Sequence, residues 1–183
     1  ASIKLATQYH ASKGHTDKIE IISRHQSYHG STLGALAAGE NIPRRKPYEP
    51  LLSNHIHHIA PCHFWRWGGD YSDEEYGINV ANELENKILE LGTNKVSAFI
   101  CETIVGATMG AVCPSKGYFE RIRSICNKYD VLLILDEVMC GMGRCGSLFA
   151  FENYNVIPDI VCIAKGLGAG YQPIGAMICN DEI

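Results

Sequence analysis

Two apolar runs in this sequence each end in an ionisable residue beside a glycine-containing loop. Residues 131–138 read Val-Leu-Leu-Ile-Leu-Asp-Glu-Val, and residues 160–166 read Ile-Val-Cys-Ile-Ala-Lys-Gly. Runs of this length and composition predict buried β-strands. Because ligands of open α/β sheets bind outside the carboxyl ends of the strands, Asp136 and Lys165 are candidates for one site.

A lysine and an aspartate at one cavity could together hold a cofactor. We expect Lys165, at the mouth of a buried strand, to be partly desolvated, which favours a neutral amine that can attack an aldehyde and form a Schiff base. The carboxylate of Asp136 could keep a pyridine nitrogen protonated and make the ring an electron sink. Two structural alternatives stay open: a salt bridge between the two residues, or Asp136 as a helix cap with Lys165 in solvent.

Strands and helices are predicted to alternate along the chain. The apolar positions Tyr76, Val80, Leu84, Ile88 and Leu91 repeat at helical spacing. The other predicted elements are helices over 2–13, 33–38 and 116–129 and strands over 18–24, 96–101 and the two opening runs. This alternation predicts an α/β fold with a largely parallel sheet, helices on both faces and right-handed crossovers. Tyr28 and His29, after the strand at 18–24, and Glu102, at the end of the strand at 96–101, then share the rim with Asp136 and Lys165.

Residues 40–71 are expected to be an irregular surface excursion. The segment contains four prolines, two tryptophans and His55, His57, His58 and His63 beside Cys62. Imidazole and thiolate suit zinc, but this spacing matches no closed zinc pattern, and no metal site is predicted.

Two glycine motifs resemble nucleotide loops. Gly141–Gly146 matches the G-x-G-x-x-G letters, but no long helix is predicted after it, so a dinucleotide site is rejected. Ala164–Gly170 carries its lysine before the glycines rather than after them, which argues against a phosphate loop. Its glycines are expected to let the backbone pass close to a flat ligand or a second subunit.

Composition excludes several classes of protein. The chain has 183 residues with 46% hydrophobic composition, the size of one ordinary domain. A net charge of −4 gives no electrostatic footprint for nucleic acid or an anionic membrane. No apolar run approaches a membrane span, and the first residues resemble the middle of a helix. Among the eight cysteines, Cys101, Cys126, Cys162 and Cys179 lie in apolar runs, and none forms a C-x-x-C pair, which indicates a reducing, intracellular compartment.

Several ordered motifs resemble the signature of the class III aminotransferases. They are Ser23–Gly34, Cys101–Gly106, Leu135–Phe151, Val156–Ile160 and Ala164–Ala176. Members of this family are pyridoxal-phosphate enzymes of the aspartate aminotransferase fold, also called fold type I. The resemblance therefore implies a fold type I large domain and bound pyridoxal 5′-phosphate.

The resemblance also implies roles for individual residues. Lys165 corresponds to the Schiff-base lysine and Asp136 to the partner of the pyridinium nitrogen. Tyr28 would stack on the cofactor ring with His29 beside it, and Val138 would pack on the opposite face.

One further role implied by the resemblance concerns substrate. Glu102 corresponds to the acid that, in many relatives, pairs with a mobile arginine gating substrate carboxylates. The loop after Glu102 departs from the family's usual sequence, since relatives often have a proline and a glutamine where this chain has Thr103 and Val105.

Residues 1–183 are expected to be a single partial domain, the central part of the cofactor-binding large domain, incomplete at both ends. By resemblance, the Gly-Ser phosphate cup would precede residue 1. A threonine reaching the phosphate across a dimer interface would follow Ile183, and the small C-terminal domain would be absent.

The function implied is transfer of an amino group from an amine or amino acid to a 2-oxo acid through a Schiff base on Lys165. The full-length form is expected to be a homodimer with shared active sites, cytoplasmic or else mitochondrial. Two alternatives stay open: other pyridoxal-phosphate chemistry on the same fold, by a racemase, decarboxylase or mutase, or a truncated fragment without catalytic activity.

Overall fold

A six-stranded sheet forms the centre of the computed structural model, which describes all residues from Ala1 to Ile183. In chain order the strands are β1 (Glu20–Arg24), β2 (Ile56–Ile59), β3 (Val96–Glu102), β4 (Leu132–Asp136), β5 (Ile160–Ile163) and β6 (Ala176–Cys179). They lie in the order β2-β1-β3-β4-β5-β6. All neighbouring pairs are parallel except β5 and β6, which are antiparallel. The largely parallel sheet predicted from the sequence is therefore confirmed.

Six α-helices accompany the sheet. They are α1 (Ser2–Ser12), α2 (Leu33–Ala38), α3 (Ile42–Arg45), α4 (Phe64–Trp67), α5 (Asp73–Leu91) and α6 (Tyr118–Tyr129). Short 3-10 helices cover Lys46–Leu51, Ala150–Tyr154 and Lys165–Gly168. Helix α5 begins with a capping box, in which Ser72 accepts from the Glu75 amide and the Glu75 carboxylate accepts from the Ser72 amide. The Thr32 side chain caps α2 by accepting from the Ala35 amide.

Alternating side chains place apolar residues on both faces of the sheet. Phe99 and Leu133 pack with α5 and α6, whereas Ala98 and Ile134 pack on the opposite face with Ala6 of α1. The period-two alternation of β-strands makes consecutive apolar residues serve two cores. The prediction that helices cover both faces is confirmed.

The segment at 40–71 differs from the prediction. It contains strand β2 at one edge of the sheet, with Ile56 paired to Ile21 and Ile59 paired to Arg24. His55 and His57 contact opposite oxygens of the Glu20 carboxylate at 3.0 and 2.7 Å. His55 and His57 therefore lie at a short edge strand and contact Glu20, so this part of the segment is not irregular.

The chain order creates a topological switch point between β1 and β3. The connection from β1 leads to β2 on one side, and the chain then returns to β3 on the other side of β1. Ligand crevices of open α/β sheets form at such a point, outside the carboxyl ends of the strands.

Candidate functional site

A small cavity of about 90 Å³ lies at the carboxyl ends of the strands. It is lined by all six residues proposed from the sequence together with three others. The lining residues are Tyr28, His29, Gly30, Glu102, Ile104, Asp136, Val138, Met139 and Lys165. Each group follows from the topology: residues 28–30 come after β1, Glu102 ends β3, Asp136 ends β4, and Lys165 follows β5.

Asp136 is fixed by two hydrogen bonds. Its Oδ2 accepts from Nδ1 of His29 at 2.8 Å, and its Oδ1 accepts from the amide of Val138 at 3.0 Å. The Asp136 and His29 side chains are both nearly fully buried. A carboxylate has about four lone-pair positions, so Asp136 retains the capacity to accept from a further donor in the cavity.

A serine holds the other side of the His29 ring. Nε2 of His29 lies 3.4 Å from Oγ of Ser23, which is on β1. Because the carboxylate of Asp136 can only accept, Nδ1 of His29 carries the proton of that hydrogen bond. His29 thus connects β1 to the end of β4.

Glu102 presents a buried carboxylate to the cavity. Its Oε2 has no hydrogen-bond partner, and burial raises the pKa of Glu102, although the nearby His29 and Arg24 offset part of that rise. Arg24, also fully buried, donates from a guanidinium nitrogen to the backbone carbonyl of Glu102 at 2.6 Å. Its guanidinium lies 5.9 Å from the ring centre of Tyr118. Arg24 was not identified from the sequence, since a charged residue in a strand does not by itself indicate burial.

Tyr28 contributes a ring to the wall of the cavity. The guanidinium of Arg44 lies 4.8 Å from the centre of that ring. One face of Tyr28 is therefore engaged in a cation–π contact with a residue of α3, which sequence spacing did not predict.

Lys165 differs from the expectation in two ways. It belongs to the 3-10 helix after β5, with a positive φ of 43°, rather than to the strand itself. Its side chain is exposed and not partly desolvated, because beyond the strand end it borders the open recess described next. Lys165 makes no hydrogen bond or ion pair in this chain, and Asp136 pairs with His29, so neither the Asp136–Lys165 salt bridge nor an Asp136 helix cap is formed.

A larger recess of about 790 Å³ adjoins the cavity and shares Lys165, Ile104 and Met139 with it. Its walls come from the loops that follow β3 and β4, including residues 139–145. The volume falls within the range typical of small-molecule sites. Lys165 stands where the two spaces join.

The glycine motifs form parts of these walls. No long helix follows Gly146, as predicted: residues 141–149 form turns and bends, and a five-residue 3-10 helix begins at Ala150. A Cβ on Gly166 would lie 2.9 Å from Cβ of Met142. Gly166 therefore permits the close approach of two loops within this chain. That the glycines of Ala164–Gly170 also let the backbone pass close to a flat ligand or a second subunit stays a prediction.

Glu137 is a structural residue that the sequence analysis did not single out. Its carboxylate is fully buried and accepts from the Thr103 hydroxyl and from the amides of Ala150 and Phe151, all within 2.8 Å. Burial raises the pKa of Glu137, and these three hydrogen bonds act in the opposite direction. Glu137 ties the loop beside Asp136 to its neighbours.

The cysteines are all free, but their burial varies. Cys101 and Cys126 are buried in the core as expected, whereas Cys162 is half-buried and Cys179 is exposed on β6. Cys162 and Cys179 lie toward the edge of the sheet, and the apolar runs that contain them did not predict this exposure.

None of the helices combines the length and apolarity needed to span a membrane.

Comparison with known proteins gives a consistent family relationship. The family description "Aminotransferase class-III" matches residues 1–183. An aminotransferase of Gibberella zeae is 45% identical over the whole of this chain, which spans 37% of that relative's length.

Solved structures give the same result. A thermostable (S)-enantioselective omega-transaminase from Thermomicrobium roseum superimposes with a TM-score of 0.93 at 39% identity, over 99% of this chain and 40% of that one. A pyridoxal-phosphate-bound aminotransferase mutant from Vibrio fluvialis gives 0.91 at 33% identity, over 99% of this chain and 40% of that one. With a family match over its full length and the fold of solved transaminases, this chain belongs to the class III aminotransferase family.

Proposed function

We propose that this chain carries the Schiff-base lysine and the ring-nitrogen carboxylate of a pyridoxal-phosphate-dependent transaminase. The reaction moves an amino group from an amine or amino acid to a 2-oxo acid. The observation that carries the proposal is that Lys165, Asp136 and His29 line one cavity at the carboxyl ends of the strands. Family membership favours transamination over the racemase, decarboxylase and mutase chemistries.

The residues present fit the cofactor. Lys165 has an amine without a partner at the junction of cavity and recess, where an aldehyde could reach it. Asp136 is held by His29 and the Val138 amide, yet keeps acceptor capacity for a protonated ring nitrogen. Tyr28 and Val138 supply surfaces for a flat ring.

When bound, pyridoxal phosphate supplies an aldehyde that condenses with amines and an electron-poor ring that withdraws charge from the substrate carbon. Lys165 would hold the cofactor through Nζ, and its free amine would accept and return a proton at the substrate carbon. Asp136 would accept a hydrogen bond from the protonated ring nitrogen. His29 fixes the orientation of that carboxylate, so the electrostatic stabilisation is preorganised.

The substrate-side role of Glu102 belongs to the same proposal. Its unpartnered Oε2 is available to a cationic side chain or to a substrate donor entering the cavity. We also assign residues 1–183 to the central part of the cofactor-binding domain of a homodimer, in line with the partial coverage of relatives.

Turnover measurements test the proposal. With the purified protein, pyridoxal phosphate and a panel of amine donors and 2-oxo acids, Lys165→Ala should abolish amino transfer. Asp136→Asn should lower kcat by about 10²–10³ while some cofactor stays bound. Lys116→Ala, which removes an exposed lysine paired with Glu74, is the matched control and should keep wild-type rates. Wild-type rates in Lys165→Ala would contradict the proposal.

A further inference from the structure

Three side chains that the proposed reaction does not use converge at the opposite end of the sheet. They are His10 on α1, His15 in the turn after it, and Asp130, which directly follows α6 and precedes β4. Nδ1 of His10 and Nδ1 of His15 each lie 3.7 Å from Oδ2 of Asp130. The three candidate ligand atoms are all within 4.8 Å of one another.

The tautomer of His10 is fixed by a backbone carbonyl. Nε2 of His10 lies 3.0 Å from the carbonyl oxygen of Ser97, which can only accept a hydrogen bond. Nε2 therefore carries the proton, and Nδ1 presents a lone pair toward Asp130. Donation of the second ring N–H to a backbone carbonyl is the usual outer contact of a histidine that binds a metal.

That lone pair has no partner, although the residue is completely buried. His10 is 0% exposed, and its Nδ1 has no hydrogen bond. The 3.7 Å to Asp130 is too long for a hydrogen bond, and both atoms are acceptors. The Asp130 side chain is 58% exposed, so a cation can enter from solvent and bridge the two facing acceptors.

The separations suit an ion of the size of zinc. With bonds of about 2.0–2.1 Å, neighbouring ligand atoms of a tetrahedral site lie about 3.4 Å apart. The two histidine–aspartate separations of 3.7 Å exceed this by a few tenths of an ångström. We propose that His10, His15 and Asp130 bind a divalent transition-metal ion, with Zn²⁺ favoured by this set of two imidazole nitrogens and a carboxylate oxygen. An adjoining open basin of about 660 Å³, lined in part by His15 and Asp130, leaves room for a water as the fourth ligand.

A metal ion at this site would lie close to the positive charge of Lys18. Its Nζ lies 3.4 Å from Oδ2 of Asp130 and is held by the carbonyl oxygens of Tyr129 and Asp130. Removing the ammonium with Lys18→Gln should tighten metal binding.

The consequence of binding would be structural. The ion would join α1 to the turn between α6 and β4, away from the cavity at the carboxyl ends of the strands. Because it binds only where these segments meet, it should stabilise the folded state by mass action.

Isothermal titration of chelator-treated protein with Zn²⁺ alone tests the proposal. We expect one site, with affinity reduced about tenfold or more by His15→Ala and by Asp130→Asn. His15 is half-exposed, and asparagine tolerates the left-handed conformation at 130 (φ 52°), so both variants should fold. His55→Ala, which removes an exposed histidine that also contacts a carboxylate, is the matched control and should leave the affinity unchanged.

A second readout separates this site from the free cysteines. The Co²⁺ form should show ligand-field absorption without the intense near-ultraviolet bands of thiolate ligation. The midpoint temperature of thermal unfolding should rise when metal is added to the wild-type protein, but not when it is added to His15→Ala. Absence of Zn²⁺ binding by the folded wild-type protein, thiolate bands in the Co²⁺ spectrum, or unchanged affinity in both His15→Ala and Asp130→Asn would overturn the proposal.

Discussion

His29 and Asp136, 107 positions apart in the sequence, are joined by a 2.8 Å hydrogen bond from Nδ1 to Oδ2. The bond links the loop after β1 to the end of β4 across the intervening strand β3. It makes the orientation of one buried carboxylate depend on one imidazole.

Replacing His29 with alanine should weaken pyridoxal-phosphate binding by about 10–100-fold. A hydrogen bond to a charged group contributes about 1.5–3 kcal/mol, and its loss frees the Asp136 carboxylate to rotate. Spectroscopic titration with the cofactor measures the change. His29→Asn, which retains an N–H donor, should lose less of its affinity for pyridoxal phosphate. His25→Ala, an exposed histidine paired with Glu40, should bind normally. Equal affinities for His29→Ala and wild type would show that the orientation of Asp136 does not matter.

Glu102→Gln should stabilise the protein near neutral pH by about 1 kcal/mol, because it removes a buried charge without a full set of partners. The pKa of Glu102 is raised above its ordinary 4.5 by burial, so the native state binds the proton more tightly than the unfolded state. The contribution of Glu102 to stability is then complete below pH 4.5 and declines as pH rises through the folded-state pKa.

Denaturant unfolding of wild type and Glu102→Gln between pH 4 and 8 measures this effect. The difference between their free energies of unfolding should be small at pH 4 and should grow as the pH rises. Glu90→Gln, at an exposed position, should stay within about 0.5 kcal/mol of wild type throughout. A variant less stable than wild type at pH 8 would mean that the charge of Glu102 is compensated.

Glu137→Ala should destabilise the protein by about 3 kcal/mol or more. It leaves one hydroxyl and two amides without their buried acceptor, and each such group costs about 1–3 kcal/mol. Glu152→Ala removes an exposed glutamate that accepts from the Phe149 amide and should cost about 1 kcal/mol or less. Similar unfolding midpoints for Glu137→Ala and Glu152→Ala would contradict the structural role assigned to Glu137.

Ser72→Ala should lower the free energy of unfolding by about 1 kcal/mol, because it removes the side-chain acceptor of the capping box at the start of α5. Ser53→Ala, at a position outside any helix or strand, serves as the comparison. Chemical denaturation of both variants measures the difference. A loss in Ser72→Ala no larger than that in Ser53→Ala would show that the capping box contributes little.

Local patterns predicted the parts of the fold that repeat regularly. The helical stripe from Tyr76 to Leu91 and the apolar run ending at Asp136 were located because burial imposes a period on the sequence. Strand β2 was missed since a four-residue edge strand with His57 and His58 in its centre has no apolar alternation. The final strand β6 was also not predicted.

The sequence likewise predicted some features of the candidate site and not others. Positions at strand ends placed Asp136, Glu102 and Tyr28 at one rim without any knowledge of contacts. The pairing of His29 with Asp136, the buried Arg24 and the acceptor role of Glu137 depend on how distant segments meet, which no local spacing encodes. Lys165 was expected to be desolvated, but its turn beyond β5 leaves it exposed.

The most direct test of the central claim is chemical trapping on Lys165. The purified protein is mixed with pyridoxal phosphate, reduced with borohydride, digested and mapped by mass spectrometry. The account predicts stoichiometric labelling of Lys165 in wild type, loss of that label in Lys165→Ala, and unchanged labelling in Lys116→Ala. Labelling spread over surface lysines, with Lys165 no more reactive than the others in a folded protein, would contradict it.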